Sequence, residues 1–258
     1  MSVRLNSLWV IRCKAAGVHF LCSLVVLSAA AFVLFFEWFP YPYWSLAGGK
    51  RLIEIIFMVD LVLGPLLTLL LFDVRKTKLA LALDMALIII LQIGAMSYGL
   101  YSAFVARPVY LVYEVDRFVV VTAADVDPND LVKAESDFQQ LPRRGIKKIG
   151  VRDPQSAKER AASFELALAG KDVSLRPDYW KHFDEASKQQ LRQRMRSLAE
   201  LDARGESEKK LVSDFLKEHK ERIDALYYIP VVFRDQVWSV VLVESTLEIA
   251  GYLPIDGF

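Results

Sequence analysis

The chain has 258 residues, is 54% hydrophobic and carries a formal net charge of +1. Near-neutrality in both halves gives no footing for nucleic-acid binding. The apolar excess is concentrated before Ala106, which sets this part apart from an ordinary soluble domain.

Three runs nearly free of charge, about 15–37, 52–72 and 79–104, each reach the roughly 20 residues that cross a bilayer as a helix. The first is longer than a signal-peptide core and lacks a small-x-small cleavage site, so it is expected to remain in the mature protein. Arg4, Arg12 and Lys14 flank it, and Arg75, Lys76 and Lys78 fill the short connection between the second and third runs. The connection between the first and second has only Lys50 and Arg51. Basic residues stay in the cytoplasm, so the expected topology has the N-terminus inside and residues 106–258 in the periplasm of a bacterium, as a multi-pass inner-membrane protein. Cys13 and Cys22, nine residues apart, fall on opposite faces of one helix and cannot bridge each other.

The first connection, "FFEWFPYPYWSLAGGKR", has the composition of an interfacial aromatic belt, with Tyr98, Tyr101 and Phe104 expected level with it. Gly48 and Gly49 would permit a close approach to the second span. Polar residues inside the spans are the informative ones, because an intramembrane carboxylate must face a bundle interior or a partner. Depth counting at about 1.5 Å per residue predicts two layers, His19 with Asp84 and Asp60 with Gln92, the second roughly 18 Å from the cytoplasmic edge. Gly64 and Thr68 continue a small-residue stripe from Asp60, and Pro65, lacking an N–H, would free the carbonyl of Leu61. This set (Asp60, Gly64, Pro65, Thr68, Gln92, His19 and Asp84) is the internal glue of a three-helix bundle, a polar groove that receives another membrane helix or, third, a proton path.

Beyond Ala106, "VYLVYEVDRFVVVTA" predicts a β-hairpin turning near Asp116-Arg117. Helices are expected from Asp127 to about Gln140, from Asp153 to Gly170, from about Asp178 to Ala199 and from about Glu206 to Lys220. Three strands, "LYYIPVVF", "VWSVVLVE" and "LEIAGYL", close the chain. The expected fold is therefore a three-helix transmembrane region, 1–105, followed by a periplasmic α+β domain, 106–258, with an antiparallel sheet of two strands, a helical insert and three strands. That order resembles PAS-like sensor domains, which gives a membrane-anchored ligand sensor as the alternative function.

No catalytic motif is present: "GIKKIG" lacks the spacing and ending of a phosphate loop. Asp178, His182 and Glu185 could share a helix face as metal ligands, but a capping Asp with surface pairs accounts for them, and no metal or cofactor is expected. The basic cluster Arg143, Arg144, Lys147, Lys148 and Arg152 is read as a solvated loop.

"KAAGVHFLCS", "FPYPYWSLAGG", "VDLVLGPLLTL", Asp84 and Gln92, "YGLY", "ARPVYLVYEVDRF" and "AADVDP" occur in order, and together they resemble the type IV pilin accessory protein family over roughly the first half of the chain. The resemblance implies a non-enzymatic inner-membrane protein that helps the major pilin reach or stay in assembled fibres. Its expected partners are that pilin and the bilayer. The pilin's apolar helix would dock against the face around Asp60, Gly64 and Pro65.

Overall fold

The computed structural model describes residues 2–46, 54–55, 57–219 and 222–258. Gly48, Gly49, Lys50 and Arg51, the start of the expected second span and the expected helix end at Lys220 lie outside the described residues. The chain divides into two compact units, Met1–Arg107 and Pro108–Phe258.

In the first unit, α1 (Ser2–Phe32) continues through a π-helical turn, Val33–Trp38. Pro40 and Pro42 then interrupt it, and a single turn, α2 (Tyr43–Leu46), follows. A second π turn, Val59–Leu63, leads directly into α3 (Gly64–Leu71). The last helix of the unit, α4 (Lys78–Ala106), is capped by the Thr77 hydroxyl, which accepts from the amide of Ala80. Two helical stretches, Leu8–Trp38 and Lys78–Ala106, are long and apolar enough to cross a membrane. Only 11% and 6% of their apolar windows are buried by the rest of the protein, unlike the core helices of a soluble fold. Val59–Leu71 is apolar but shorter.

The aromatic connection divides between two surroundings. Leu34, Phe39 and Ala103 form a buried cluster, with Trp38 edge-on to Phe104 at 5.2 Å and Phe35 to Trp44 at 6.2 Å. Tyr41, Tyr98 and Tyr101 point outwards, as amphipathic rings at a membrane surface would.

The second unit is built on one sheet with the strand order β4-β3-β1-β2-β6-β7-β8. Its strands are β1 (Pro108–Glu114), β2 (Arg117–Thr122), β3 (Lys147–Val151), β4 (Trp180–His182), β5 (Arg196–Ser197), β6 (Leu226–Phe233), β7 (Gln236–Val243) and β8 (Ile249–Leu253). The three antiparallel hairpins each contain a non-glycine residue with positive φ in their connection, Val115 at 56°, Arg234 at 54° and Leu247 at 57°. The expected antiparallel sheet is corrected to a mixed one: β1 runs parallel to β3, and β2 parallel to β6. Strand β6 explains how this is accommodated. It pairs with β5 at Tyr227 and Tyr228 and with β2 at Val231 and Val232, on the two sides of Pro230. A residue with no N–H sits where the strand changes partner and a ladder bond is not required.

The insert also differs from expectation. Asp127–Gln140 is not a helix but two 3₁₀ turns, Leu131–Lys133 and Ser136–Phe138, and the region expected as one helix from Asp178 to Ala199 contains β4, α6 (Glu185–Arg194) and β5. Phe138 and Trp180 are the reason: both are buried in a core with Tyr110, Val112 and Ile149, and reaching it takes extended chain. The remaining helices are α5 (Ala157–Leu168), α7 (Leu198–Asp202) and α8 (Glu206–His219). The last two close a second core with Tyr228, Val241 and Leu253.

Candidate functional site

The polar residues of the membrane-type helices gather around the middle segment, Val59–Leu71. A π turn directs each carbonyl to the N–H five residues on. For Asp60 that residue is Pro65, which has none. The Asp60 carbonyl is therefore released, and Gln92 Nε2 donates to it at 3.3 Å. With its nitrogen engaged, Gln92 turns Oε1 towards His19 Nε2 at 2.7 Å, so the imidazole donates there. On the other side of the ring, His19 Nδ1 lies 2.6 Å from the Thr68 hydroxyl, which can donate to it or to the Gly64 carbonyl at 3.1 Å. The connected set His19, Thr68, Gln92 and the Asp60 backbone ties α1, α3 and α4 together.

Gly64 is required by this network. A Cβ at that position would lie 2.0 Å from Gln92 Nε2. Gly64 and Thr68 are thus spent on internal packing, both buried, while Pro65 is half-buried and acts through the N–H it lacks.

The expected layer of His19 with Asp84 is corrected. Asp84 accepts from Lys76 Nζ at 2.6 Å near the basic end of the helices. Arg12 reaches Asp73 at 2.9 Å, so the ends of the first and second helices are pinned at that level. His19 stands seven residues beyond Arg12, and Thr68 five before Asp73, which brings those two together one layer higher. Asp73 also accepts from Arg75, and those bonds, with Arg12, hold its carboxyl well below the usual carboxylate range.

Arg12 Nε and Asp60 Oδ1 are buried without a hydrogen-bond partner among the described residues, and Arg12 is already paired through its Nη2 with Asp73. Asp60 is 3% exposed. Both α1 and α4 pack on the middle segment, leaving an open groove between them of about 370 Å³. Cys22 and Val26 line it from α1, Ile89 and Ile93 from α4, and Asp60 lies at its base. A second groove of about 310 Å³, bordered by Val59, Ala95 and Gly99, also opens onto Asp60. This carboxyl at the junction of two apolar clefts can bind a donor on a segment laid into either.

The soluble unit has a cavity of about 350 Å³ bordered by Glu114, Arg117, Asp172 and Arg234. Burial pushes the Glu114 carboxyl up. No group of three acidic, His or Cys residues that could hold a metal occurs among the described residues. Asp178, His182 and Glu185 sit on three different elements, and His182 Nε2 instead meets Asp137 at 3.0 Å. Within the basic cluster, Lys148 and Arg152 are engaged internally: Lys148 donates to the Leu247 carbonyl at 3.1 Å and Arg152 to Glu159 at 2.8 Å.

The family described as fimbrial assembly protein FimB matches residues 7–48. Over most of its length the sequence is similar to two fimbrial assembly proteins of Dichelobacter nodosus. The serogroup I protein is 32% identical over 250 residues and the serogroup E1 protein 31% over 249, each comparison covering 95% of both chains. The protein of serogroups C1 and C2 is 37% identical over 121 residues, which are 47% of this chain and 92% of that one. No solved structure matches.

Proposed function

This chain belongs to the fimbrial assembly protein family, and on that premise we propose that it is a type IV pilin accessory protein working at the bacterial inner membrane. Family membership supports an accessory role in pilus biogenesis, and the motifs shared with pilin accessory proteins point the same way. In this reading three spans hold the protein in the bilayer, the basic end carrying Arg12, Arg75 and Lys76 faces the cytoplasm, and Pro108–Phe258 is periplasmic. The membrane unit receives the apolar helix of the major pilin, and the soluble unit meets the pilin head.

The observation that carries this reading is the groove between α1 and α4 with an unpartnered carboxyl at its base. A fully satisfied bundle needs no such feature, whereas a bundle that admits a fourth helix does. The soluble unit offers a matching surface. Helix α5 keeps Glu159 and Ser163 towards the protein and turns Ala157, Ala161, Phe164 and Leu168 outwards, with Phe164 67% and Leu168 75% exposed. Apolar exposure of that kind marks a contact surface.

Photo-crosslinkers at Val26 and Ile93 test the membrane half of the proposal. Capture of pilin is expected, and capture of the protein's own helices alone would defeat docking. A reporter fused after Phe258 that is active in the cytosol would defeat the topology. The alternative, a ligand sensor, is favoured by the cavity at Glu114 and Arg234 and predicts ligand-dependent thermal stabilisation of the soluble unit.

A further inference from the structure

We infer that the helix received by the groove presents a neutral hydrogen-bond donor, a hydroxyl or an amide N–H, level with Asp60. This deepens the docking reading and rests on it. The polar atoms nearest the carboxyl are already committed. His19 uses Nδ1 on Thr68 and Nε2 on Gln92, and Gln92 uses its nitrogen on the Asp60 carbonyl. None can turn to Oδ1 without breaking a bond in the network. Val26, Ile89 and Ile93 offer no donor, and the hydroxyls of Ser23 and Ser97, which also line the groove, make no hydrogen bond to Asp60, so the bond Oδ1 lacks is left to the occupant. A cation would have to shed its water to enter an apolar cleft beside the His19 imidazole, whereas a hydroxyl or amide brings one bond and no charge. The occupant is thus an apolar helix with one short polar side chain at the depth of Asp60, and the small residues Ser23 and Ser97 in the groove allow it to approach closely.

The native Cys22 is exposed and lines the groove, so it reports occupancy directly. In protein carrying Cys13→Ser, disulfide trapping in inner-membrane vesicles is measured between Cys22 and single cysteines stepped along the pilin's apolar segment. Asp60→Asn keeps an acceptor and is expected to trap within threefold of the parent. Asp60→Leu is expected to trap at least tenfold less, and replacing the facing pilin donor by Ala should reproduce that loss in a protein whose own fold is untouched. Trapping unchanged by Asp60→Leu overturns the donor inference and leaves docking standing. Asp60→Asn failing as completely as Asp60→Leu overturns the neutral donor in favour of an ion pair. No trapping at any pilin position with Asp60 intact removes the docking reading and this inference together.

Discussion

In Pro108–Phe258 the most completely hidden side chains include Trp180, Tyr110, Tyr179 and Tyr228, whereas Met1–Arg107 buries Ser23, Asp60 and Thr68 and leaves Leu83, Leu87 and Ile90 mostly exposed. The two units solve opposite problems. In water, burying large rings is the driving force, at about 25 cal/mol per Å² of apolar surface. In lipid the outside is as apolar as the inside, and what must be hidden is a hydrogen-bonding group. The first unit therefore has a thin polar seam beside one small apolar cluster, where the second has two apolar cores.

The largest expected effect tests that contrast. Trp180→Ala should lower unfolding stability by about 3–5 kcal/mol, since the indole is 1% exposed, packs at a tilt against Tyr110 with ring centroids 4.8 Å apart and donates to the Ser174 carbonyl at 2.8 Å. Leu87→Ala in α4, at 56% exposure, should stay within about 0.5 kcal/mol in detergent. Denaturant titration of the full chain in micelles measures both, and comparable losses would break the contrast.

Gly64→Val comes next. The new side chain would force Gln92 from its bonds, and overpacking of this kind destabilises by about 1–3 kcal/mol. His19→Leu should cost less, about 0.6–2 kcal/mol, the range for hydrogen bonds between membrane helices. If the seam is one network, the double variant His19→Leu/Gln92→Leu will lose less than the sum of the singles in the same titration. Additive losses would dissolve the network into separate bonds.

The apolar runs, the β1–β2 hairpin, α8 and the three closing strands were legible in the sequence because each is a matter of local periodicity. The parallel pairings were not, since a run such as "KKIGV" carries no mark of its partner. Asp60, Gly64, Thr68, Gln92 and His19 were legible as polar or small residues in apolar runs, but their pairing was not. Depth counted from hydrophobic edges put His19 beside Asp84, while the Arg12–Asp73 bond sets the true register. The π turn frees the Asp60 carbonyl for Gln92, and winding of that sort leaves no signature beyond the proline itself. The insert was misread for a related reason: Asp127-Pro128 reads as a helix start, yet the burial of Phe138 overrides it.

The smallest expected effect concerns a polar pair in the water-soluble unit, where charge can titrate. Glu159 accepts from Arg152 at 2.8 Å and from the amide of Gln155 at 2.6 Å. The bond from Arg152, then that from Gln155, holds its carboxyl down at about 2, against an ordinary value of 4.5. A carboxyl whose folded value is depressed favours the folded state above the unfolded value and loses that contribution as pH falls towards the folded one. Glu159→Gln should therefore melt below the wild type at pH 7, and the deficit should shrink between pH 4.5 and about 2 and vanish below it. The pair is partly exposed, 29% and 26%, so screening keeps the effect small and added salt should reduce it further. A deficit that persists unchanged at the acid end would assign the loss to the packing of α5 rather than to charge. The exchange His19→Leu, in a seam shielded from water, should show a salt-independent deficit under the same protocol, which separates the two units by the solvent each one hides from.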